Sequence, residues 1–119
     1  MTVIRLVTLL LAMLASHVVF ATNASIRANV TQILIDDTYY GGCMAQFTED
    51  PAVALPGCSA SWLTFDCLAA FPETTKSMAT NKLSQAQLAL LTGRAVSVSF
   101  TDSRKASGYC FVYRIDLSN

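Results

Sequence analysis

The side chains with most chemistry to offer in this chain are aromatic. Tyr39 and Tyr40 are neighbours, Trp62 stands in an alternating stretch, and Tyr109 and Tyr113 share the last apolar run. Aromatic faces contribute apolar area while their polar ends hydrogen-bond, a combination suited to a carbohydrate or a protein partner. Neighbours on a strand point to opposite faces, so if one of Tyr39 and Tyr40 is core the other is exposed. Tyr113 falls on the apolar face of its strand and reads as core packing. Tyr39, Tyr40 and Trp62 are therefore the candidate binding residues.

Catalytic chemistry is poorly provided for. The only histidine, His17, lies in an apolar leader, so the rest of the chain lacks the usual general base and the commonest metal ligand. A serine nucleophile would need a lysine as base, and Lys76, Lys82 and Lys105 all lie in polar stretches where they should stay charged. Asp36-Asp37 reads as a solvated turn at a strand end, because a calcium site would need several more oxygen ligands at loop spacing. No enzymatic activity, metal or cofactor is expected.

The leader itself is informative about compartment. Arg5, an apolar run from Leu6 to Ala15 and a Val-Phe-Ala ending at Ala21 describe a secretory signal peptide over residues 1–21, cleaved after Ala21. The run is too short to span a bilayer comfortably and no basic stop-transfer cluster follows, so no membrane insertion is expected after cleavage. Basic and acidic residues number eight each, and removal of Arg5 leaves a balance one negative. That offers no footprint for nucleic acid or an anionic membrane. The apolar content of 53% is partly the leader's, which makes it poor support for a buried interface. Asn23-Ala24-Ser25 and Asn29-Val30-Thr31 fit the N-glycosylation pattern, which would mean nothing in a bacterial product.

Four cysteines, Cys43, Cys58, Cys67 and Cys110, follow the leader. An even number in an exported chain points to two disulfides, with three possible pairings. Zinc is the competing reading, but no two cysteines stand two to four residues apart and no histidine is there to join them.

The elements that must position these residues are short. Thr22 to Asn29 is polar and reads as a loose arm. Val30 to Ile35 is a first strand, and Tyr39 to Phe47 a second, interrupted at Gly41-Gly42 where a bulge or close backbone approach is expected. Thr48 to Ser59 has loop composition, and Ser61 to Cys67 alternates as a third strand. Ala79, Leu83, Ala86 and Leu90 form the stripe of an amphipathic helix, with Ala89 beside it and Gly93 placed for a left-handed cap. Val96, Val98 and Phe100 then point one way from a fourth strand, Asp102 to Gly108 reads as a charged hairpin loop, and Tyr109 to Leu117 is the fifth strand. Phe111, Tyr113, Ile115 and Leu117 share a face of that strand.

The order β-β-β-α-β-β over residues 22–119 makes a mainly β single domain, either a small OB-fold-like Greek-key barrel with one helix or a split α+β sandwich, with the barrel favoured. In the barrel the second and third strands form a hairpin and the last strand lies parallel to the third. A hairpin loop centred on residues 53–55 sets Cys43 against Cys67, and Cys58 then pairs with Cys110.

The run from Leu83-Ser84-Gln85-Ala86 through Thr92-Gly93 to Val96 and Val98, preceded by a cysteine in each strand of a hairpin, resembles the B subunits of subtilase-cytotoxin-like and typhoid-toxin-like AB5 toxins. The resemblance covers roughly Cys43 to Val98. It implies an exported binding module, a homo-oligomeric ring and a sialylated glycan ligand. The family's sugar-contacting Tyr-Tyr-Ser segment is matched only by Asn23-Ala24-Ser25, and its aromatic hairpin by Asp102 to Gly108, so neither contact set carries over. The alternative is a small secreted or periplasmic protein whose partner is another exported protein, as an inhibitor or accessory subunit.

Overall fold

The computed structural model describes residues 22–119; the expected leader, residues 1–21, lies outside them. The chain is mainly β, with a six-stranded mixed sheet and one long helix. The strands are β1 (Asn23–Ala28), β2 (Val30–Ile35), β3 (Cys43–Phe47), β4 (Trp62–Thr64), β5 (Val96–Ala106) and β6 (Tyr109–Leu117). A short helix α1 (Pro51–Ala54) follows β3, and the long helix α2 (Lys76–Thr92) precedes β5. Across the sheet the order is β1-β5-β6-β4-β3-β2. As expected, β3 and β4 form an antiparallel hairpin and β6 lies parallel to β4.

The sheet is not closed into a barrel, since no ladder joins β1 to β2. These two edge strands are nonetheless consecutive, separated only by Asn29, and Ile26, Ala28 and Val30 enter one core with Val98, Phe100 and Val112. The helix contributes Leu83, Ala86 and Ala89 to the same core. Each large apolar side chain so buried contributes about 1.5–3 kcal/mol.

Three expectations are corrected. The stretch from Thr22 to Asn29 is not a loose arm but carries β1, antiparallel to β5. Its small polar residues occupy one face only: the Ser25 and Ser99 hydroxyls meet at 2.7 Å, while Ile26 and Ala28 alternate inward. Polar composition concealed a period of two. Likewise Asp102 to Gly108 is not a loop, because β5 continues to Ala106 and only Ser107 and Gly108, both at positive φ, make the turn. The second strand begins at Cys43 rather than Tyr39, as Tyr40–Gly42 forms one 3-10 turn.

Helix α2 starts where Thr75 Oγ1 accepts from the Met78 N–H at 3.1 Å and ends at Gly93, which has φ 70° and donates its N–H to Ala89 O. A left-handed residue at this position is what glycine tolerates best. Ala79, Leu83, Ala86 and Ala89 are buried, whereas Leu90, on the expected stripe, is 40% exposed because the last turn presents Ala89 to the sheet instead.

Both disulfides form as expected, Cys43 with Cys67 and Cys58 with Cys110, at Cα separations of 5.5 and 5.3 Å. The second spans 52 residues and in a chain-entropy treatment contributes about 4 kcal/mol. Two disulfides fit an oxidising compartment, extracellular or periplasmic.

Candidate functional site

Two surfaces carry side chains able to hold a ligand. The first is the turn from Asp36 to Gly42, which presents two of the three candidate aromatic residues. Asp36 Oδ1 accepts from the N–H groups of Tyr39 and Thr38, at 2.6 and 2.8 Å. A short acidic side chain folding back on the next N–H groups is the local chemistry of an Asx turn. These bonds hold the Asp36 carboxyl below its ordinary pKa, with the Tyr39 amide the larger cause and that of Thr38 the lesser. Asp36 is thus occupied as a turn acceptor.

The turn is closed by Asp36 N–H donating to Gly42 O at 3.0 Å and Gly42 N–H donating to Tyr39 O at 2.9 Å. Within it Tyr40 adopts φ 60°, a left-handed conformation uncommon for an aromatic residue. Thr64 Oγ1 donates to Tyr40 O at 2.8 Å and Leu68 N–H to Gly41 O at 2.9 Å, so β4 and the turn that follows it hold the strained backbone in place. Gly41 is required there: it has φ 70°, and a Cβ would lie 2.4 Å from Thr64 Oγ1.

On this frame Tyr39 is 63% exposed. Its ring lies 6.2 Å from that of Tyr40, which in turn meets Tyr109 edge to face at 5.8 Å. The expected split rested on strand alternation, whereas Tyr39 and Tyr40 lie in a turn, Tyr39 exposed and Tyr40 half-buried, with neither in the core. Trp62 is not brought to this cluster. It is half-buried on β4 opposite Gln46 and stacks on no other ring among the described residues.

The second surface lies over β5 and β6 and was not anticipated. Phe100 pairs with Val112 while Ser99 pairs with Arg114, which leaves Tyr113 as an extra residue in β6. A bulge of this kind reverses the alternation. Cys110 and Val112 belong to the core before it, and Ile115 and Leu117 pack against the core after it. Tyr113, expected inside, is 43% exposed. On β5, Thr101 pairs with Phe111 and Lys105 with Cys110, so Asp102, Ser103 and Arg104 bulge outward.

Between the two bulges the surface is recessed on either side of Tyr113. One recess of about 500 Å³ runs toward α2, with Asn81, Lys82 and Gln85 on its wall; another of about 460 Å³ runs toward Asn23 and Ser103. A smaller one of about 140 Å³ lies over Phe111. Lys82 Nζ sits 4.4 Å from the centroid of the Phe111 ring and donates to Val112 O at 2.8 Å. The Arg104 guanidinium stands 5.6 Å from the same ring and pairs with Glu73. Burial lowers the pKa of Lys82; Asp66 opposes the shift and Arg104 adds to it.

Lys82 and Arg104 escaped the sequence reading because nothing local links them. Tyr113 had a signal. The apolar pairs Cys110/Val112 and Ile115/Leu117 each keep a period of two but are out of step with one another, which is the mark of one inserted residue. No protein-family model, curated protein or solved structure matches this chain.

Proposed function

We propose that this protein is an exported, non-enzymatic binding module whose ligand is a glycan, held on the tyrosine cluster of the Asp36 to Gly42 turn. The observation that carries the reading is the strained, cross-braced backbone at Tyr40. Strain of this kind costs about 1–3 kcal/mol and persists where the surrounding structure imposes it, most often at ligand-binding positions. Here the conformation keeps one tyrosine ring exposed and its neighbour anchored, a rigid aromatic face of the kind that takes up a sugar ring with little loss of entropy. The likeness to toxin B subunits points the same way.

Export is supported by the two disulfides and by the surroundings of Thr22. Asp102 accepts from Thr22 N at 2.8 Å and from Thr22 Oγ1 at 2.7 Å. Cleavage after Ala21 would turn that nitrogen into an ammonium facing a carboxylate. N-terminal sequencing of the exported product should begin at Thr22.

A second reading, a protein partner or a second copy of the chain, is favoured by the outer face of α2, where Leu88 is 46% and Leu91 85% exposed. A glycan array read with the processed protein, together with its mass from light scattering, separates the two. Glycan binding that disappears in Tyr39→Ala supports the first. A protein silent toward every glycan would overturn it, and a constant monomer mass would remove the ring.

A further inference from the structure

Among the described residues, Thr74 Oγ1 is the one buried side-chain polar atom without a hydrogen-bond partner. Thr74 is 9% exposed and lines the small recess over Phe111. An unpaired buried hydroxyl is unfavourable, and in a folded protein it calls for an explanation.

The same recess gathers two cations around one ring, Lys82 Nζ and the Arg104 guanidinium. Their mutual repulsion is only partly relieved. Glu73 reaches Arg104 from the rim, where its side chain is 50% exposed. Lys82 gives one N–H to Val112 O, and among the described residues its ammonium makes no other hydrogen bond. The buried Asp66 carboxylate acts on Lys82 through its charge, while its oxygens accept from the N–H groups of Ala70 and Phe71, both at 2.9 Å. A hydroxyl, an ammonium and a guanidinium that border one recess are the donors a carboxylate accepts from. The recess has the volume of about four or five liquid waters, room for a few heavy atoms.

We propose that this recess binds a small carboxylate of two or three carbons. Its oxygens lie among Lys82 Nζ, the Arg104 guanidinium and Thr74 Oγ1, and they displace Glu73 from Arg104. Glu73 is then a built-in competitor, and the site operates independently of the tyrosine turn.

The test is an amide NMR titration of the processed, disulfide-intact protein with sodium acetate, using acetamide as the neutral isostere and sodium chloride as the ionic control. Acetate should produce saturable shifts at Thr74, Lys82 and Arg104 that neither control reproduces. Arg104→Met should weaken acetate about tenfold, the scale of one charge-assisted contact. Glu73→Gln should tighten it roughly threefold by removing the competing carboxylate. Thr74→Val should weaken acetate while leaving the thermal midpoint unchanged or raised, since it deletes an unpaired hydroxyl; a purely structural Thr74 would do the reverse. Shifts that fail to saturate, or that acetamide or chloride reproduces, would overturn the assignment. So would unchanged acetate binding in both Arg104→Met and Glu73→Gln.

Discussion

The tyrosine turn and the cleft over β5 and β6 are built in opposite ways. In the turn, the bonds from Asp36 to Thr38, Tyr39 and Gly42 all join residues within six positions of one another. In the cleft, Thr74, Lys82, Arg104 and Tyr113 come from a loop, a helix and two strands, and two bulges aim the last two. A turn shaped by local hydrogen bonding inherits its outline from a few side chains, and here only the bonds from Thr64 and Leu68 reach in from outside to brace Tyr40 and Gly41. A site made by register inherits its geometry from the pairing of a whole hairpin, and one residue more or less would redirect it.

The strongest way to break this contrast is Gly41→Ala. The new Cβ would meet Thr64 Oγ1 at 2.4 Å in a backbone already at φ 70°, and the combined strain and overpacking should cost about 2–4 kcal/mol. Urea denaturation would show the loss, and glycan binding should fall with it while acetate shifts at the cleft persist. A neutral Gly41→Ala would mean the turn is not held as described.

Deleting Tyr113 probes the other surface. The pairs Phe100 with Val112 and Ser99 with Arg114 can both survive, so the ladder becomes continuous and stability should change by roughly 1 kcal/mol. Peptide mapping should still recover Cys58 linked to Cys110, whereas the acetate shifts should vanish. Loss of that bridge or of folding would show that the bulge is needed by the fold itself.

Acid should weaken the turn before it touches the cleft's cations. The carboxyls of Asp36, Asp50 and Asp102 are all held below the ordinary range, by the amides of Tyr39, Ser61 and Thr22 respectively as the largest cause. A depressed folded pKa gives stability that is complete above the unfolded value, near pH 4, and is lost as pH falls through the folded one. Urea midpoints measured from pH 6 downward should therefore decline below about pH 4. Asp36→Asn should start lower and decline less over the same window; an identical decline would show that Asp36 contributes nothing to it.

The smallest effect on stability is expected at Tyr39→Ala. The ring is 63% exposed, so the unfolding midpoint should shift by less than about 0.5 kcal/mol. Glycan binding should nonetheless be lost, which would separate recognition from folding at the turn. Retained binding would move the glycan reading away from this cluster.

Residue types and their short-range spacing determined much of this protein. The cysteines, the helix from its stripe to Gly93, and the β3–β4 hairpin with its disulfide register follow from periodicity and turn chemistry acting over a few residues. Tertiary structure alone decided the rest. Asn23, Ser25 and Arg27 read as a polar arm until β5 is present to pair with them, because an edge strand needs a hydrophobic face only on alternate residues. The bulge at Asp102 to Arg104 is a property of two strands aligned together, and that at Tyr113 shows in its own strand only as a break in apolar period whose place the pairing fixes. They alone bring Arg104 and Tyr113 out beside Lys82, since the side a strand residue faces depends on the count of residues between it and its partners.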